Sequence, residues 1–297
     1  MKTLSTLALL LASTAAAQMR VVTVPSKSPV ITMRIVFTTG AAADPADKPG
    51  LAYLTAMMLA NGGTKDMTYR QILDAMFPMA ASLGVQVDKE MTTFTGETHV
   101  DNLNDYYKLV RAMLLDPGFR EDDFARVRDA AVNAIKTGLR SNDEELAKEV
   151  LYNNLYNGTP YGHYTGGTVT SLQSLTLDDV KSFYKSQYSQ THLILGIAGG
   201  YPQSFLEGMK KDFRKLPVGA GFRPRLKAPP LIEHSRAVVV DRDTRSVAIS
   251  IGFPISTTRA NPDYAPLLLA STYFGQHRMS GGVLYNRMRE LRGLNYG

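Results

Sequence analysis

Hydrophobic positions along the chain recur with two periods, and each period predicts its own element. Val30 to Thr39 (VITMRIVFTT) is β-branched and partly alternating, which predicts a strand. A loop follows over GAAADPADKPG, where Pro45 and Pro49 interrupt regular structure. Leu51 to Ala60 is apolar on most sides and predicts a buried helix, and Thr68 to Ser82 predicts an amphipathic one broken near Pro78 and ended by Gly84. Gly84 to Asp88 and Met91 to Val100 alternate as a hairpin. Helical spacing then covers Asn102–Leu115, Glu121–Arg140, Asp143–Leu155 and Thr176–Tyr188. A strand, His192–Ala198, and a helix, Gln203–Leu216, complete this part. The set predicts an α+β domain with helices packed on one face of a mostly antiparallel sheet.

Val218 to Leu231 (VGAGFRPRLKAPPL) is rich in Gly, Pro and Arg and reads as a linker. Beyond it the opening order restarts. Strands are expected at Val238–Val240 and Ser246–Phe253, then a Pro- and Asp-containing loop, an apolar helix (PLLLASTYF) and an amphipathic one (LYNRMRELRG). Self-similarity at one large offset points to duplicated domains, not a solenoid. The expected organisation is a leader over 1–17, a first domain over 18–216, a linker over 217–236 and the incomplete start of a second domain over 237–297. An apolar helix without most of its sheet is not expected to fold alone.

Composition sharpens this picture. With 44% hydrophobic and 20% charged residues over 297 positions, the chain has the balance of a globular protein with room for two cores. Its +6 charge is spread out, densest from Phe213 to Lys227, with no basic run and no interleaved aromatics, so no nucleic-acid partner is expected. MKTLSTLALLLASTAAAQ has an early Lys2, an apolar run and small residues at Ala15 and Ala17. That is the pattern of a secretory signal peptide, with Gln18 as the mature start and a periplasmic or secreted product. No later segment is apolar enough to span a bilayer. Cysteine is absent, which excludes disulfides and thiolate metal sites.

Candidate chemistry centres on Gly50–Thr64, GLAYLTAMMLANGGT. The string resembles the start of the insulinase-like, or pitrilysin-like, zinc peptidase family (peptidase family M16). So do LGVQVDKEMTTFTGETHVDNLNDYYKLVRAMLLDPGF, the segment from Tyr156 to Gly199, and GGVLYNRMRELRGLNYG. The resemblance implies a duplicated α+β fold and, in active members, an inverted His-x-x-Glu-His motif on that helix. Positions one and five of such a motif share a face, so two imidazoles grip one Zn²⁺ while the carboxylate between them activates a water. Carried over, the histidines fall on Tyr53 and Met57 and the glutamate on Ala56, with the distal glutamate near Asn133, where Asp129 is the only carboxylate in Arg126–Asn142. Tyrosine is an uncommon zinc ligand, methionine is too soft and alanine cannot act as a base. The helix therefore reads as core where a metal site would be, with no metal ligand or catalytic residue in this chain.

The resemblance also implies that an Arg and a Tyr of the second domain, seven residues apart, hold the substrate backbone and polarise the scissile carbonyl. Arg289 and Tyr296 have that spacing. The expected function is that of a non-catalytic subunit. It would pair with a zinc-bearing sister chain, act on peptides and lend Arg289 and Tyr296 in trans; a peptide-binding scaffold is the alternative. His99, His163, His192, His234 and His277 are isolated and form no site, and His163 is expected to position its glycine-rich loop. No G-x-S-x-G elbow is present. Asn157-Gly-Thr159 matches a glycosylation acceptor, expected to stay unmodified behind a bacterial-type leader.

Overall fold

A computed structural model of the protein describes residues 19–219, 234–244, 246–275 and 280–294. The leader, most of the 217–236 segment, His277 and Tyr296 lie outside these residues. Two compact units are present, one within Met1–Pro229 together with Arg236–Ile251, the other within Pro230–Ser235 and Gly252–Gly297.

The first unit is built on a five-stranded sheet in the order β1-β5-β2-β4-β3. The strands are β1 (Arg20–Pro25), β2 (Val30–Phe37), β3 (Ser82–Val87), β4 (Thr92–His99) and β5 (Leu193–Gly199). Three of the pairings are antiparallel, and β1 lies parallel to β5 at one edge. Alternation puts Ile31, Met33, Ile35 and Phe37 of β2 on one face, where each is at most 1% exposed. Burying such a side chain contributes about 1.5–3 kcal/mol. Ile35 sits opposite Phe94 on one side and Leu195 on the other, so three strands meet in one apolar row.

The helices of this unit are α1 (Leu51–Asn61), α2 (Tyr69–Met76), α3 (Leu103–Leu115), α4 (Glu121–Asn133), α5 (Asp143–Leu155), α6 (Val169–Ser174), α7 (Leu177–Gln187) and α8 (Gln203–Phe213), and all but α5 bury residues in one core with the sheet. Thr68, Thr168 and Thr176 open α2, α6 and α7 with reciprocal capping boxes. Tyr106 of α3 lies across the sheet at Gly96 and donates its hydroxyl to the Ser82 carbonyl at 2.7 Å. A Cβ at Gly96 would stand 1.8 Å from that hydroxyl, so the fit requires glycine. Arg120 and Arg126, both bonded to Asp123, reach back to the carbonyls of Thr64 and Asn61 and fasten α4 to the end of α1.

The mixed α+β architecture agrees with the sequence reading, and several elements differ from it in detail. The helix expected over Thr68–Ser82 stops at Met76. A 3₁₀ turn holds Phe77–Met79, and Ala80 adopts φ 47°, so Ser82 and Leu83 join β3. The helix expected through Arg140 passes at Ala134 into a π-helical turn, Ala134–Leu139. β1 and α6 were not expected; β1 is β-branched at Val21, Val22 and Val24 but adjoins the apolar leader, which hides its boundary.

The strands expected at Val238–Val240 and Ser246–Phe253 do not form among the described residues, where these segments take no regular secondary structure, and Val247, Ile249 and Ile251 are largely exposed. A strand exists only through a hydrogen-bonded neighbour, and no described segment supplies one. Part of this segment is instead tied to α5. Thr244 and Ser246 donate to the Asp143 carboxylate at 2.5 and 3.1 Å, and Arg242 lies 3.2 Å from it, which holds that carboxyl below its usual range. In the second unit the apolar helix forms as α9 (Tyr264–Gly275), and the amphipathic one as a short α10 (Val283–Tyr285) running into a π-helical turn, Asn286–Glu290.

Candidate functional site

The helix carrying the candidate metal positions is fixed from its first turn. Gly50, with φ 95°, precedes α1 and has no side chain to cap it. Asp44 does this from outside: its fully buried carboxylate accepts from the Gly50 and Ala52 amides, both at 2.7 Å. A negative charge at a helix N-terminus also meets the positive end of the helix dipole. The third Asp44 partner is His163 Nε2, at 3.2 Å. His163 thus anchors its loop to the start of α1, as the sequence suggested for it. The loop returns over this point so closely that a Cβ on Gly50 would stand 2.9 Å from Gly167 Cα.

Along α1, Ala56 is fully buried, whereas Tyr53 and Met57 are half-buried. Ala56 belongs to the hydrophobic core, and Tyr53 and Met57 pack against it from its edge. A helix repeats every 3.6 residues, so Tyr53, Met57 and Asn61 form one stripe, the only positions of α1 that are not fully buried. Asn61 Nδ2 lies 4.0 Å from Met57 Sδ. Burial pushes the Tyr53 phenol above its ordinary pKa, away from the phenolate a metal would require. Ala56 offers no base. Asn133, at the end of α4, is exposed, and the Asp129 side chain is 72% exposed and sits beside Arg128. No group of three or more His, Asp or Glu able to hold a metal comes together among the described residues. The donor set at these positions does not fit zinc.

What stands beside the stripe is a polar cluster that the sequence did not disclose. Lys89, in the β3–β4 turn, donates to the His163 carbonyl. Its pKa is lowered by burial, against the opposing pull of Glu149 and Asp44. Glu149 of α5 is raised by burial, and Lys89 counteracts this. The Tyr164 phenol is raised by burial and by the nearby Glu149 and Tyr53. A cavity of about 320 Å³ is lined by Gly138, Leu139, Asn142, Glu145, Glu149 and Tyr164. It combines carboxylate and phenol oxygens and the Asn142 amide with the π-helical turn, so it offers both hydrogen-bond acceptors and donors. In the same loop as Tyr164, Tyr161 donates to Glu90. Only the aromatic, glycine-rich loop Tyr156–Gly167 gave any signal of this in the sequence; Lys89 and Glu149 look like ordinary surface charges there.

Arg289 lies in the second unit, in the π-helical turn, with its guanidinium 5.2 Å from the centre of the Tyr285 ring. Tyr296 is outside the described residues. His99 pairs locally with Asp101, and His192 is buried with its Nδ1 3.1 Å from the Thr38 carbonyl. No described helix is long and apolar enough to cross a membrane.

A sheet covered on one face by an apolar helix, with Tyr53, Ala56 and Met57 at the positions where the resemblance places the ligands and base, is the arrangement that resemblance implies for a peptidase-like fold without its metal site. Comparison with known proteins agrees. Residues 20–169 match the family model described as Insulinase (Peptidase family M16), and residues 174–297 match the one described as Peptidase M16 inactive domain. The chain belongs to the M16 peptidase family, as a member without the His-x-x-Glu-His motif. Among solved structures it is similar to a peptidase M16 inactive domain from Pseudomonas fluorescens, with TM-score 0.76 and 26% identity over 95% of this chain and 68% of that one. Among curated proteins it is similar to the non-peptidase homolog YmxG of Helicobacter pylori, 24% identical over 89% of this chain and 60% of the relative. It is also similar to a probable mitochondrial-processing peptidase subunit beta of Arabidopsis thaliana, 22% identical over 78% of this chain and 44% of the relative. The chain therefore spans about half the length of these two relatives.

Proposed function

We propose that this protein is the non-catalytic subunit of an exported two-chain zinc peptidase. The observation that carries this reading is the partly buried α1 stripe, which presents Tyr53 and Met57 instead of imidazoles, with Ala56 buried in place of a base. The zinc and the water-activating carboxylate would come from a sister subunit. This chain would supply Arg289 and Tyr296: a guanidinium to hold a peptide carbonyl or carboxylate, and a phenol to donate to the developing oxyanion. Support comes from similarity to a relative named as a peptidase subunit and to one named as a non-peptidase homolog. Export to the periplasm or outside the cell rests on the composition of residues 1–17.

The second reading is a peptide-binding scaffold with no proteolytic role, favoured by the name of the Helicobacter pylori relative. One experiment separates the two. Zinc content and peptide cleavage are measured for the mature protein alone and mixed with a sister chain bearing an intact zinc motif. The subunit reading expects neither zinc nor cleavage alone, activity on mixing, and loss of that activity with Arg289→Ala or Tyr296→Phe. Binding without any gain in cleavage would favour the scaffold, and stoichiometric zinc with cleavage by the chain alone would overturn both.

A further inference from the structure

Asn-Gly occurs twice in the chain, at Asn61–Gly62 and Asn157–Gly158, and the fold treats the two pairs oppositely. The first ends α1. The Gly62 amide donates to the Met58 carbonyl at 2.8 Å, and the Asn61 carbonyl accepts from Arg126. A Cβ on Gly62 would stand 2.4 Å from that Met58 oxygen, so the peptide is tightly enclosed. The second pair lies in the turn after α5. Asn157 and Gly158 are both exposed, Gly158 has φ 75°, and nothing lies within 4 Å of where its Cβ would be. Neither the Gly158 amide nor the Asn157 side chain makes a hydrogen bond to any described residue.

We infer that Asn157 is a site of spontaneous backbone modification, converting to aspartate and isoaspartate through a cyclic imide. The Gly158 amide nitrogen, on losing its proton to solvent, attacks the Asn157 side-chain carbonyl carbon. The new N–C bond closes a five-membered ring, and the C–N bond to the side-chain amide breaks with release of ammonia. Water then adds to one ring carbonyl and opens the imide. Opening on one side leaves aspartate; opening on the other leaves isoaspartate, with one more carbon in the main chain. No oxidant or reductant enters, and water is the only co-reactant. Glycine is the residue that makes this possible, because it places no side chain beside the attacking nitrogen and tolerates the positive φ.

The site matters because the turn has no room for a longer backbone. The Tyr156 carbonyl accepts from both the amide and hydroxyl of Thr159, and the Gly162 amide donates to the Thr159 carbonyl. A Cβ on Gly162 would stand 2.3 Å from the Tyr156 oxygen and 3.1 Å from Asn157 Cα. An extra carbon at Asn157 would push this turn open. Directly beyond it are Tyr161 on Glu90 and His163 on Asp44, the contacts that hold the loop over α1. Ageing at one exposed amide would therefore loosen the wall of the candidate site.

The test compares the two Asn-Gly pairs within the same molecule. The mature protein is aged at mildly alkaline pH, folded and in concentrated urea, and peptides containing Asn61 and Asn157 are followed by mass spectrometry alongside ammonia release. In the folded protein Asn157 is expected to convert at least about tenfold faster than Asn61, whose amide reacts only after local opening. In urea the two rates should converge. Asn157→Gln should abolish the early ammonia, and aged wild-type protein should exchange the Gly162 amide hydrogen faster than fresh protein. Equal rates for the two pairs in the folded state, or protection of Asn157 by folding as strong as that of Asn61, would overturn the inference.

Discussion

Replacing Gly96 by alanine gives the most exacting check on how the helices seat on the sheet. The added Cβ would stand 1.8 Å from the Tyr106 hydroxyl and 2.9 Å from its Cζ. Tyr106 is fully buried, so its ring cannot swing to solvent. Displacing the ring costs about 1–3 kcal/mol as overpacking. Loss of its bond to the Ser82 carbonyl adds about 0.5–1.5 kcal/mol. Relief of glycine's conformational freedom in a strand returns about 0.5–1 kcal/mol. The net expectation is a loss of about 0.5–4 kcal/mol, read as a lower urea midpoint with an unchanged m-value. Tyr106→Phe alone should cost about 1 kcal/mol. With the oxygen gone the closest approach becomes the 2.9 Å contact to the ring, so the double variant should be less damaged than the sum by about 1–2 kcal/mol. Additive effects, or a neutral or stabilising Gly96→Ala, would refute the account of Tyr106 lying across Gly96.

Three further outcomes are expected. Asp44→Ala removes two charge-assisted bonds to the start of α1 and the partner of His163, and should cost about 3–4 kcal/mol in urea unfolding while increasing proteolysis within residues 157–167. Glu149 has its folded pKa raised above its ordinary 4.5 by burial, so between those two values the folded state binds more protons than the unfolded one. Stability should fall as pH rises from 4.5 through that window, and Glu149→Gln should flatten this slope and raise the urea midpoint at neutral pH; an unchanged profile would count against a buried Glu149. The pair Tyr53→His and Met57→His places two imidazoles on the half-exposed stripe, and thermal unfolding should then respond to zinc, by about 1.4 kcal/mol at tenfold the dissociation constant. Neither single variant should do so, and with Ala56 retained the double variant should not cleave peptides.

The sequence by itself determined the secondary structure of most of the first unit. Alternation marks β2, β4 and β5, and helical spacing marks α1, α3, α4, α5, α7 and α8, because each element has one face that must leave water. It also determined that the metal ligands are missing, since Tyr53, Ala56 and Met57 are identities and need no coordinates. Tertiary structure decided the rest. Whether Ser246–Phe253 is a strand depends on a neighbour to accept its hydrogen bonds, and no local pattern encodes that neighbour. The helix end at Met76 and the turn to β3 depend on pairing with β4. The half-exposure of Tyr53 and Met57 beside a fully buried Ala56 follows from how α1 lies under the Tyr156–Gly167 loop. Lys89, Glu149, Asp44 and His163 come from four separate segments, and each alone is an ordinary polar residue. The altered proton affinities of Lys89 and Glu149, and the contacts among all four, arise only when folding removes water from between them, and that is a property of distance in space, not of order along the chain.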